Sequence, residues 1–120
     1  MAITSITVTE LAYNTLATFP TAAAVAADTD YGNAYYAKVP VGSSSKLLIY
    51  ITNTHASAAK DIGILAGTAY GSNGEAISLT DLAAGGVKII TVESAKYARG
   101  GYIIVSGESA DIEVAAVQLP

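Results

Sequence analysis

Short apolar runs separated by glycine- and serine-rich turns recur from residue 46 to residue 119, and this pattern confines the chain to β-structure. The runs are residues 46–53 (KLLIYITN), 61–66 (DIGILA), 87–93 (VKIITVE), 102–106 (YIIVS) and 112–119 (IEVAAVQL). Isoleucine and valine dominate them, and each is shorter than an ordinary helix. Residues 46–53 are apolar on both faces, which predicts a central strand. Turn signals lie at residues 41–45, 71–74, 83–86, 99–101 and 106–109. Such spacing is that of a β-sandwich, and the short loops favour antiparallel pairing. No amphipathic helix of useful length is visible.

The first forty residues differ. Residues 3–10 alternate, with Ile6 and Val8 on one face and Ser5, Thr7 and Thr9 on the other. Residues 13–39 are rich in Ala, Thr and Tyr, are broken by Pro20 and then Pro40, and show no strong alternation. They predict a meandering edge of the sandwich or an arm that packs on a neighbour. Residues 21–27 (TAAAVAA) lack a strong helix cap and read as strand or extended arm. The expectation is an all-β fold: one antiparallel, jelly-roll-like β-sandwich domain over residues 1–120, with an extended N-terminal segment. Within it, residues 1–44 are an arm plus edge strands.

Composition narrows the function. Hydrophobic residues make up 52% of the chain and charged residues only 13%, against a usual quarter or so. A surface so poor in charge points to one that is largely covered in the working state. The net charge is −4, and the six basic residues are scattered. This argues against binding a nucleic-acid backbone or an anionic membrane. With no cysteine, disulfides and thiolate metal sites are excluded. No signal peptide is visible at the N-terminus, and the apolar run at residues 47–51 is too short to span a bilayer. The chain reads as made in a cytoplasm.

Candidate chemistry is sparse. His55 is the lone histidine, and a nucleophile–base pair would have to be built on it. No acid precedes Asp61 nearby, so a turn histidine bonded to backbone is the plainer reading. Residues 28–33 (DTDYGN) resemble part of a calcium loop, but the glycine comes one place early and no closing glutamate follows. The expectation is therefore no metal, no cofactor and no catalytic residue. Arg99-Gly100-Gly101 reads as a turn between two strands. Tyr31, Tyr35 and Tyr36 cluster, and exposed tyrosines suit protein interfaces or sugar stacking.

Residues 51–60 (ITNTHASAAK) with Ala66-Gly67, residues 81–86 (DLAAGG), residues 93–97 (ESAKY) and the ending AAVQLP at residues 115–120 resemble stretches of small tailed-phage virion proteins. Those proteins look like head decoration, or cement, proteins. The resemblance covers roughly residues 45–120, lies in strands and turns, and carries over no functional residues. It departs at Lys96-Tyr97, where an arginine before an aromatic would be expected.

The resemblance implies a non-enzymatic virion protein on the capsid surface, binding the major capsid protein and copies of itself as a homotrimer. Ile3, Ile6, Val8, Tyr31, Tyr35 and Tyr36 are the expected partner contacts, and deleting residues 1–10 is expected to abolish capsid binding without unfolding the domain. The alternatives are a self-assembling shell, tube or fibre subunit, and a carbohydrate-binding module or adhesin with the tyrosines as its platform.

Overall fold

The computed structural model describes residues 3–28, 34–41, 46–67, 76–92 and 97–120. The elements whose bounds lie within these residues are all strands. In chain order they are β1 (Thr4–Ser5), β2 (Thr9–Glu10), β3 (Ala23–Ala24), β4 (Ala26–Asp28), β5 (Ala34–Pro40), β6 (Leu47–Asn53), β7 (Lys60–Ile64), β8 (Ile77–Leu82), β9 (Val87–Ile90), β10 (Ala98–Arg99), β11 (Tyr102–Gly107) and β12 (Ile112–Gln118). The first sheet runs β1-β5-β11-β7-β8, with β4 also on β5 and β10 also on β11. The second runs β2-β12-β6-β9, with β3 also on β12. The chain passes repeatedly between the two.

Alternation builds one core between the sheets. Ala37, Val39, Ile62, Ile64, Ile103 and Val105 face inward from the first sheet. Leu47, Ile49, Ile51, Ile112, Val114 and Ala116 meet them from the second. All fall in a single cluster, which is compatible with a β-sandwich. Each buried Ile or Val contributes about 1.5–3 kcal/mol over its exposed state. The β10–β11 hairpin turns through Gly100 and Gly101, with φ of 56° and 87°. Two consecutive positive φ values suit a tight hairpin turn that glycine adopts at little cost. The turn expected between two strands at Arg99-Gly100-Gly101 is therefore present, at Gly100 and Gly101.

One feature departs from expectation. The sheets are mixed rather than wholly antiparallel, because β1 runs parallel to β5 and β2 parallel to β12. Both parallel ladders are short and belong to residues 3–28. In addition, those residues are bonded into the sandwich. The chain starts on the first sheet at β1, where the Ile6 N–H donates to the Lys38 carbonyl at 2.9 Å. It crosses to the second sheet at β2, where the Leu11 N–H donates to the Gln118 carbonyl at 2.8 Å. After a long loop it returns by β3 on the second sheet and β4 on the first, and the Val25 N–H between them donates to the Ile112 carbonyl at 3.0 Å. Each crossing drops one apolar side chain into the gap between the sheets: Ile6 is 4% exposed and Val25 is 1% exposed. The Thr4 hydroxyl donates to the Ala24 carbonyl at 2.6 Å and ties one crossing to the other.

Candidate functional site

The opposite side of the sandwich is built differently. There β8 ends the first sheet and β9 ends the second. Among the described residues β8 pairs only with β7, and β9 only with β6, so each presents an edge of backbone donors and acceptors. Between them runs a groove of about 250 Å³, walled by Ile51, Ile62, Ile64, Ile77, Leu79 and Ile90. Lys88 is the charged residue on its lining. Its register partner on β6 is Ile51, a core residue, so the Lys88 side chain lies on the inner face at the mouth of the groove. It forms no ion pair among the described residues.

The position of β8 and β9 depends on Asn53, a polar side chain that is completely buried. Its Nδ2 donates to the Leu82 carbonyl at 2.8 Å and to the Ala58 carbonyl at 3.0 Å. Its Oδ1 accepts from the His55 N–H at 2.9 Å. The Asn53 backbone adds bonds to Gly85 and Gly86. One residue at the end of β6 thus holds both the β8–β9 turn and the loop of residues 54–59. His55 completes that loop: its Nδ1 accepts from the Ser57 and Ala58 N–H groups at 3.1 and 2.8 Å. That lone pair is committed to the turn, and the ring proton belongs on Nε2.

A second surface lies on the outer face of the second sheet. The loop of residues 11–22 passes over it, and the Phe19 ring meets the Tyr50 ring edge-on at 5.4 Å between centroids. Tyr50 is in register with Ile89, and Thr52 with Val87, so the exposed Val87 and Ile89 continue the same face. Within the loop Tyr13 is 78% exposed, Leu16 102% and Phe19 69%. Residues 11–27 carry no charged side chain at all.

The expected contact residues fall elsewhere. Ile6 is in the core, Val8 packs against it, and Ile3 is half-buried. Tyr35 packs against the core and Tyr36 is buried at 4% exposure. Tyr31, and all of the calcium-like stretch after Asp28, lies outside the described residues. Among the described residues no group of three or more His, Cys, Asp or Glu is placed to hold a metal ion. The exposed side chains that stand out instead are Tyr13, Leu16, Phe19, Val87 and Ile89. The signal that could have found the loop is its lack of charge over seventeen positions, residues 11–27. No family model, curated protein or solved structure matches this chain.

Proposed function

We propose that the chain is a non-enzymatic structural protein that docks on a large protein surface through the loop of residues 11–22 and the adjoining outer face of the second sheet. The surface we propose is a phage head, where the chain would act as a decoration protein, as a homotrimer and in contact with the major capsid protein. The observation that carries the docking surface is the exposure of Tyr13, Leu16 and Phe19 on an uncharged loop. Two aromatic rings of roughly 200 Å² each, mostly in solvent, already expose about 300 Å². With Leu16, Val87 and Ile89 the apolar area rises above what a monomer ordinarily leaves uncovered. The phage context rests on the resemblance of residues 45–120 and on low charge. A jelly-roll-like winding belongs to the same reading, supported by strands that alternate between two sheets.

The test is co-sedimentation with phage capsid shells lacking the protein. Leu16→Ser with Phe19→Ser should leave the fold intact and weaken binding at least tenfold. Undiminished binding by that variant would sink the docking surface. Light scattering of the free protein reads the trimer directly. The second reading, a subunit that polymerises by itself, is favoured by the two strand edges at β8 and β9 that no described residue pairs, and it expects large polymers in the same measurement. The sugar-binding reading moves to Tyr13 and Phe19, because Tyr35 and Tyr36 are taken up by packing.

A further inference from the structure

We infer that the groove between β8 and β9 is an acceptor for an extended strand of a different protein chain, and that Lys88 selects a strand carrying a carboxylate. The molecule itself displays what fills such a gap. On the far side, residues 3–11 and 23–28 lie along both sheet edges, hydrogen-bond to each sheet, and insert Ile6 and Val25 between them. The β8–β9 side has the same parts and no such segment among the described residues: two unpaired edges, a gap lined by isoleucine and leucine, and about 250 Å³ of space. That exceeds the roughly 150 Å³ of a cavity that takes up benzene, so a branched aliphatic side chain fits. A small apolar molecule would fill the gap and leave the backbone edges unpaired. An added strand satisfies both.

Charge decides which strand. Lys88 is exposed on the groove lining, so a segment laid across the mouth would cover it. Asp81 lines the adjoining hollow with Lys88, but no ion pair joins them among the described residues, so an uncharged strand would bury the ammonium unpaired, which opposes binding. A strand with an aspartate or glutamate beside it converts the same burial into an ion pair. An inward-pointing lysine on an edge strand also deters pairing with arbitrary chains. Guarding and selecting are then the same interaction, met or unmet. The inference does not depend on the loop of residues 11–22, which lies on the outer face.

The experiment uses the labelled full chain and two seven-residue peptides that alternate valine and threonine. One has a central glutamate, the other a central lysine. Amide shifts are followed by NMR. The glutamate peptide should perturb residues 77–82 and 87–90 and bind about fivefold tighter than the lysine peptide, the size expected for one partly exposed ion pair. In Lys88→Glu the preference should reverse. Leu79→Arg, which places bulk and charge in the groove, should abolish both responses. Equal responses to the two peptides, shifts that map away from β8 and β9, or a preference unaltered by Lys88→Glu would each overturn the inference. So would concentration-dependent self-association of the wild type that Lys88→Glu removes, since the occupant would then be a second copy.

Discussion

The two sides of this sandwich face the same physical problem and meet it in opposite ways. On the β5–β12 side, residues 3–28 cover both edges and plug the gap with Ile6 and Val25. On the β8–β9 side no described residue fills the gap, and the edges carry a lysine and an irregular strand in place of a cover. A sheet edge is a template for pairing with other chains. Covering it removes the template. Guarding it leaves the template usable by a chain that satisfies the guard. Among the described residues, one side is therefore closed by the chain itself, and the other is left as a usable template.

The sharpest way to break that comparison is to put the same charge on each side. Val25→Asp places a carboxylate in the plugged gap, where no partner offsets its desolvation, and should cost about 4 kcal/mol or more. Leu79→Asp does the same at the open mouth, where water reaches the new charge, and should cost about 1 kcal/mol or less. Urea unfolding of the two variants measures the contrast. Equal losses would mean that the open side is as integral to the fold as the closed one. The same logic revises the expectation for deleting residues 1–10. Removing Ile6 uncovers the core, so the deletion should lower stability as well as any binding.

Asn53 comes next in size. Replacing it with Leu removes the donors to the Leu82 and Ala58 carbonyls and the acceptor for the His55 N–H. Each buried group left without a partner costs about 1–3 kcal/mol, so a total near 3 kcal/mol is expected. Hydrogen exchange should quicken at the β8–β9 turn and in residues 54–59 before it does in β5 or β12. Uniform loss of protection over both sides would show that Asn53 does not act locally.

The strands that were legible in the sequence are those with unbroken apolar runs: β6, β7, β9, β11 and β12. Strand β5 was not, although Tyr35, Ala37 and Val39 all face the core. Tyr36 lies on the other face and is itself buried, so both faces look aromatic and the alternation is masked. Strand β8 hides its period because an extra residue enters it. The register passes from Ile62 opposite Leu79 to Lys60 opposite Leu82, which turns Leu82 inward out of step with Ile77 and Leu79. Ile6 and Val8 showed a regular alternation, but the chain changes sheets between Ser5 and Thr9. A period counted along one sheet does not say what is exposed there. Phe19 carries no mark in the sequence that separates an exposed ring from a buried one. The pairing of Lys88 with Ile51 on the inner face depends on register, which residue types alone do not fix.

A smaller effect probes how tightly β8 is held. On β7, Gly63 sits opposite Ser78 of β8, and a Cβ there would come within 2.8 Å of the Ile77 carbonyl oxygen. Backbone cannot move aside as a flexible side chain can. Gly63→Ala should therefore push β8 away from β7 and cost about 1–2 kcal/mol. If the open side is a docking edge, the same substitution should weaken peptide binding more than it weakens the fold. A loss of stability with binding intact would separate the groove from the β7–β8 pairing.

The smallest effect concerns the irregularity itself. Asp81, one of the two residues of β8 that lie opposite Asp61, has a φ of 60°, a conformation that strains most side chains and suits glycine. Its N–H donates to the Asp61 carboxylate at 2.9 Å, and the Asp61 N–H and carbonyl both bond to Glu108. The bulge is thus tied through β7 to the β11–β12 turn. Asp81→Gly keeps the backbone donor and removes the strain, so it should raise stability by about 0.5–1 kcal/mol. It also removes one acidic side chain from the edge strand that faces a would-be partner. Thermal unfolding reads the first effect, and light scattering at high concentration reads the second. A gain in stability accompanied by new self-association would show that Asp81 guards β8 as Lys88 guards β9. A gain without association would leave the lysine as the guard that matters and the bulge as a device of strand geometry.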